Sequence, residues 1–158
     1  MKPGTTGTSP LPLPARAFAL SWPEPDIALL TFDLPGKGAN VLSRSVLAEF
    51  REHLTALRER QDVVGLIIKS GKPGTVIAGA DLREFVEQLD SPKDQVVALC
   101  QTGQGLFGLL SQAPFVTVAA IDGICVGGGA ELACWCDRRI VSTNPKTEIG
   151  FPEVKLGL

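Results

Sequence analysis

A chain of 158 residues suits one domain, and with 44% hydrophobic residues it can bury a sizeable core. Its 15 basic and 17 acidic residues leave a net charge of −2, which gives no nucleic-acid footprint, and no apolar run reaches the roughly 18 residues of a membrane span. The cysteines (Cys100, Cys125, Cys134 and Cys136) form no Cys-x-x-Cys and, with the lone His53, make no metal-binding pattern; they read as small buried hydrophobes in a reducing, cytoplasmic compartment.

Residues 1–20, with Pro3, Pro10, Pro12 and Pro14 among Gly, Thr and Ser, are expected to be a disordered tail, lacking both the apolar surface to order itself and the apolar core of a signal peptide. A single core then runs over residues 21–158. Ile27 to Asp33 reads as a strand, broken by Leu34-Pro35-Gly36-Lys37-Gly38. Ser43 can cap a helix through about Arg60, with Val46, Leu47, Phe50, Leu54 and Leu57 on one face. Val63 to Lys69 is apolar enough for a strand covered on both faces. A turn at Lys72-Pro73-Gly74 leads to Val76-Ile77. A short helix is expected from Asp81 to Leu89, and a longer one opens at Pro92 and reaches about Leu110. Phe115 to Ile121 is a further strand, Gly127 to Gly129 start a helix through about Cys136, and Arg139 to Ser142 is a last short strand. Strands alternating with helices predict an α/β layered fold with a mostly parallel sheet.

Several residues carry chemistry or imitate it. Gly103-Gln-Gly105-Leu-Phe-Gly108 spells a dinucleotide fingerprint, but only a short stretch separates it from Pro114, too little for the required helix. His53 sits among charged residues of the first helix and reads as structural; Trp135 reads as packing. Glu131 follows the glycine triplet Gly127-Gly128-Gly129, and Glu153 closes Gly150-Phe151-Pro152-Glu153. Taken alone, Glu131 is a solvated first-turn acid and Glu153 a loop acid. The triplet alone is a plain turn or a phosphate cradle, although Glu131 would repel phosphate and no Gly-Lys-Ser/Thr follows. Taken together they supply two carboxylates and glycine-flanked backbone amides, a set suited to an acyl thioester. Such thioesters react at C2 and C3 through an enolate whose charge sits on the thioester oxygen. Fixed N–H donors must hold that oxygen, each worth about 2.7–4 kcal/mol of barrier. The triplet can offer one donor at a helix start, and the turn at Gly79-Ala80 the other.

In order along the chain, Gly36-Lys-Gly-Ala-Asn40-Val-Leu, Ala78-Gly-Ala-Asp81, Gly127-Gly-Gly-Ala-Glu131-Leu-Ala and Gly150-Phe-Pro-Glu153 resemble the signatures of the crotonase (enoyl-CoA hydratase/isomerase) superfamily. Asn144-Pro-Lys-Thr147 looks most like the hydratase region of multifunctional β-oxidation α-subunits. The resemblance implies a superhelix of stacked β-β-α turns. It implies oxyanion donors at Ala80 and Gly128, a water-activating Glu131 and a Glu153 that exchanges the C2 proton. It also implies substrate contacts from Ala78, Asp81, Leu82 and Arg83, with Asp81 positioning rather than transferring protons. The implied reaction is hydration of a 2-trans-enoyl-CoA, with isomerisation of 3-enoyl-CoA or non-catalytic acyl-CoA binding as the other readings. No metal or redox cofactor is expected, coenzyme A arriving with the substrate as an acyl-CoA thioester. Family members continue with helices that cover the site and build a homo-oligomer. This chain ends at Leu158 without them, so apolar surface is expected to be exposed, a stable trimer is not expected, and the isolated chain is expected to be weakly active or inactive.

Overall fold

Alternate strands of the chain feed two different sheets, and this alternation generates the architecture. The computed structural model describes residues 16–88 and 91–155. A five-stranded sheet has the order β1 (Phe18–Glu24), β2 (Ile27–Phe32), β3 (Gly65–Ser70), β5 (Val116–Ile121), β7 (Arg138–Val141). Only β1 is antiparallel to its neighbour. A three-stranded parallel sheet has the order β4 (Thr75–Ile77), β6 (Ile124–Val126), β8 (Glu148–Gly150). The helices are α1 (Arg44–Arg58), α2 (Leu82–Glu87), α3 (Lys93–Ser111) and α4 (Gly128–Trp135), followed by a 3-10 turn at Pro152–Lys155. Each turn of the superhelix thus runs from the large sheet to the small one and then into a helix. This is the expected α/β arrangement of stacked β-β-α turns.

The core follows from the sequence pattern. Ser43 caps α1, its Oγ accepting from the Val46 N–H at 3.3 Å. Val46, Phe50, Leu54 and Leu57 then fall on the buried stripe, packed with Leu30, Phe32 and Leu66 of the central strands. Burying each such side chain is worth roughly 1.5–3 kcal/mol. Arg58 in the last turn of α1 donates to the carbonyls of Leu109 and Gln112, both at 2.7 Å, tying α1 to the end of α3. His53 lies half-buried on α1, edge-on to Phe18, and burial lowers its pKa below the ordinary imidazole value.

The structure corrects several expectations. Residues 18–20 are not tail but part of β1. The Phe18 ring stacks on Phe32 at 4.6 Å, and the N–H groups of Ala17 and Phe18 donate to the Glu49 carboxylate at 2.9 and 3.0 Å. Pairing with β2, the buried side chains of Ala17 and Phe18 and two ionic hydrogen bonds order a segment whose composition reads as disordered; residues 1–15 lie outside the described residues. Two of the cysteines, Cys125 and Cys136, are buried as expected, but Cys100 and Cys134 are exposed. The helix expected from Asp81 ends at Glu87, and Leu89 lies outside the described residues. The short strands β6 and β8 carry too few residues to show a period. Apolar side chains from β7 through β8 to the 3-10 turn are open to solvent, among them Ile140, Ile149, Phe151 and Val154.

Candidate active site

The small sheet brings the functional turns together. The segment Asn40–Leu42 pairs with the loop after β4 as a one-residue parallel bridge between Leu42 and Ala80. Leu42 donates to the Gly79 carbonyl at 2.9 Å, and the Asp81 N–H donates to the Leu42 carbonyl at 3.0 Å. A parallel bridge of this kind satisfies the neighbours of Ala80 and turns the amide of Ala80 itself to the opposite edge. Gly79 makes the turn possible by adopting φ +99°, a region closed to most side chains.

That opposite edge meets the start of α4. Gly127 precedes the helix with φ +53°, and no side chain caps it. Gly128 is the first helical residue, so its N–H has no partner within the helix. Among the described residues, neither the Ala80 nor the Gly128 N–H donates a backbone hydrogen bond. They are also close: a β-carbon built on Gly128 would lie 4.0 Å from the Ala80 nitrogen. Gly129 lets the helix sit directly on β4, because a β-carbon there would lie 2.6 Å from that of Ile77.

The two glutamates flank this pair of amides. Glu131 lies in the first turn of α4, and its Oε2 is 4.0 Å from the same built β-carbon on Gly128. Glu153 arrives from the other side. β8 pairs with β6 in a register that sets Val126 opposite Gly150, and the Gly127 N–H donates to the Gly150 carbonyl at 2.9 Å. The following turn lays Glu153 Oε1 against the α-carbon of Gly127, where any β-carbon would collide with it. Glu153 Oε2 is buried without a hydrogen-bond partner among the described residues. Leaving a carboxylate oxygen in that state is costly unless a ligand engages it. Two acids distant in sequence thus stand beside consecutive glycines, Glu153 against Gly127 and Glu131 near Gly128.

A cavity of about 430 Å³ opens beside this arrangement, within the range usual for small-molecule sites. Ala80, Gly128 and Glu131 line it together with Phe107, Gly103 and Trp135. Glu153 does not line it but stands at Gly127. A second cavity of about 330 Å³ adjoins the first along Leu42, Leu47, Ala80 and Cys100, with Asp81 and Glu84 at its rim. Asp81 is the N-cap of α2, its Oδ1 accepting from the Arg83 N–H at 3.0 Å. The N–H of Ala78 is held by the Asn40 carbonyl at 2.8 Å. Leu82 and Arg83 are exposed, and with Ala78 they line none of these cavities.

Sequence reasoning missed other parts. Trp135 reads as packing, yet it is 40% exposed on the cavity wall. Cys100, Gly103 and Phe107 reach the cavity from one face of α3, a helical spacing visible in the sequence but masked by the dinucleotide-like motif. Asn40 is a buried hub: its Nδ2 donates to Phe32 O (2.8 Å), Ser70 Oγ (3.0 Å) and Val76 O (3.1 Å), and its Oδ1 accepts from the Leu34 N–H (2.9 Å).

Solved structures share this fold. The enoyl-CoA hydratase of Bacillus anthracis is 26% identical with a TM-score of 0.79, matched over 90% of this chain and 53% of its own. That of Geobacillus kaustophilus is 25% identical with a TM-score of 0.80, matched over 91% and 52%. The match to the enoyl-CoA hydratase/isomerase family covers residues 24–158, and the chain belongs to that family. It is 43% identical over 143 residues to the fatty acid oxidation complex subunit alpha of Aliivibrio fischeri, and 43% identical over 144 residues to that of Vibrio cholerae. These alignments take in 90% of this chain and 20% of each relative, so the chain spans about a fifth of the length of the curated relatives it matches. Among the described residues, no helix is long and apolar enough to cross a membrane.

Proposed function

We propose that the chain carries the hydratase step of fatty acid β-oxidation: reversible syn addition of water to a 2-trans-enoyl-CoA, giving a 3-hydroxyacyl-CoA. The observation that carries this reading is the pair of unpaired N–H groups, Ala80 and Gly128, set between two carboxylates. The donors grip the thioester oxygen as charge builds on it, aided by the positive end of α4. Glu131, open to the cleft, takes the proton from water as the oxygen adds to C3. Glu153 delivers a proton to C2, which neutralises the enolate, and in reverse removes it. The coenzyme A portion enters along the loop from Ala78 to Arg83, where Asp81 fixes the start of α2. The chemistry as written uses no metal or redox cofactor.

Glu153→Gln tests the assignment. The variant should lose exchange of the C2 proton of an acyl-CoA with deuterated water, while binding stays within about twofold. Exchange at the wild-type rate would remove Glu153 from the mechanism. A second reading follows from the buried, unpartnered Glu153 Oε2, which suits a shuttle moving one proton between C4 and C2 of a 3-enoyl-CoA. Turnover of 3-enoyl-CoA beside crotonyl-CoA separates the two activities, and binding of both without turnover makes the chain an acyl-CoA-binding module.

A further inference from the structure

We infer that Gly103 sets the length of acyl chain the cleft accepts, by joining it to a second apolar chamber between α1 and α3. The inference rests on the thioester reading of the cleft and names its substrate class: acyl chains of medium to long length. The first half of α3 is unusual for a helix against a core. Its buried residues are Leu106, Phe107 and Leu110, all in the second half. The apolar face of the first half looks instead onto open space. Gly103 lies at the junction. It lines the cavity of about 430 Å³ that contains Ala80, Gly128 and Glu131, and it also lines a neighbouring cavity of about 450 Å³ floored by Leu47, Leu99 and Leu106. Among the described residues, the two share one other, Leu47, half-buried on α1.

A side chain at this position would have room to stand in the passage, since a β-carbon built on Gly103 meets nothing within 4 Å. Glycine costs an interior helical position stability, and no positive φ calls for it here. The backbone gives no reason for glycine at 103, and of the three glycines of α3 it is the one that lines both cavities. The chamber beyond Gly103 shares nothing with the Ala80–Asp81 turn. A chain leading from a carbonyl held at Ala80 through the cleft reaches it past Gly103 and Leu47. The cavity rimmed by Asp81 and Glu84 also borders the far chamber, at Arg44, Leu47 and Leu99, but not at Gly103. Arg51 also lines the far chamber; it donates to the Thr102 carbonyl at 3.3 Å and bridges the two helices.

The test compares butanoyl-CoA with dodecanoyl-CoA by calorimetric titration of the 158-residue chain. Gly103→Leu should leave butanoyl-CoA affinity within about twofold and weaken dodecanoyl-CoA by about tenfold or more, the scale set by losing a few buried methylenes. Gly103→Ala, whose methyl stops short of the far wall, should fall between. Leucine favours a helix over glycine, so the variant keeps its fold. Gly105→Leu, exposed and lining neither cavity, should bind both thioesters as wild type does. An unchanged length profile in Gly103→Leu, or the same loss in Gly105→Leu, overturns the inference and leaves the thioester reading standing. Failure of the wild-type chain to bind either thioester overturns both.

Discussion

The two N–H donors of the cradle are held by opposite means. The loop that carries Ala80 is suspended by hydrogen bonds from a preceding turn of the superhelix: Asn40 grips β2, β3 and β4 through its side chain and Ala78 through its carbonyl, while Leu42 bonds Gly79 and Asp81. The turn that carries Gly128 has no capping side chain and is held by close contact, with Gly127 against Glu153, Gly129 against Ile77, and one backbone bond to β8. A loop hung on polar groups fails when a partner is removed. A turn held by contact fails when volume is added. The same catalytic geometry therefore has two different weak points, on different residues.

The largest expected effect breaks the suspended side. Asn40→Ala removes a fully buried amide and leaves Val76 O and Leu34 N–H without that partner. Each buried group left unpaired costs about 1–3 kcal/mol, so stability should fall by about 3 kcal/mol or more, read as a lower urea midpoint at unchanged slope. Asn40→Asp is the sharper version, because it keeps the acceptor for Leu34 and loses the donors to Phe32 and Val76. The contact-held side should break less. Gly129→Ala puts a methyl 2.8 Å from the Ile77 carbonyl oxygen and closer still to its side chain. Overpacking costs about 1–3 kcal/mol, of which the better helix propensity of alanine offsets about 1, for a net loss of no more than about 2 kcal/mol. A larger loss for Gly129→Ala than for Asn40→Ala would invert the comparison.

The sequence exposes these two sides unequally. The glycine triplet and both glutamates are visible as motifs, because close approach and charge each require particular residue types. α1 is visible because its apolar residues repeat at helical period and bury where that period puts them, and β2, β3 and β5 because they are short apolar runs. The suspension is invisible. Nothing in the string indicates that the Asn40 side chain reaches one group on each of three strands and a fourth just past β2, since these contacts depend on the register of a parallel sheet. The strands β6 and β8 are three residues each, too short to show alternation, yet they bring Glu153 to Gly127. The Gly103 passage hides for another reason: its glycines spell a better-known motif whose chemistry the flanking lengths forbid.

The smallest effect changes no stability and reads the comparison directly, through the thiols. Cys125 lies on β6, immediately before the contact-held turn, and Cys136 just beyond α4; burial pushes their thiols up to about 11 and about 12. Cys100 and Cys134 are exposed. Alkylation needs both access and thiolate, so iodoacetamide near pH 8 should label the native chain at Cys100 and Cys134 alone, and at all four sites in denaturant, as counted by mass spectrometry. In Gly129→Ala, lifting α4 from β4 should open the packing over β6 and add a label at Cys125 under native conditions. In Asn40→Ala, compared at a urea concentration where the same fraction stays folded, Cys125 should remain protected, because the loop that loosens there carries Ala80 and leaves α4 seated. Equal protection of Cys125 in both variants would mean that the two sides of the cradle open as one unit, and that their separate fastenings do not make them separately mobile.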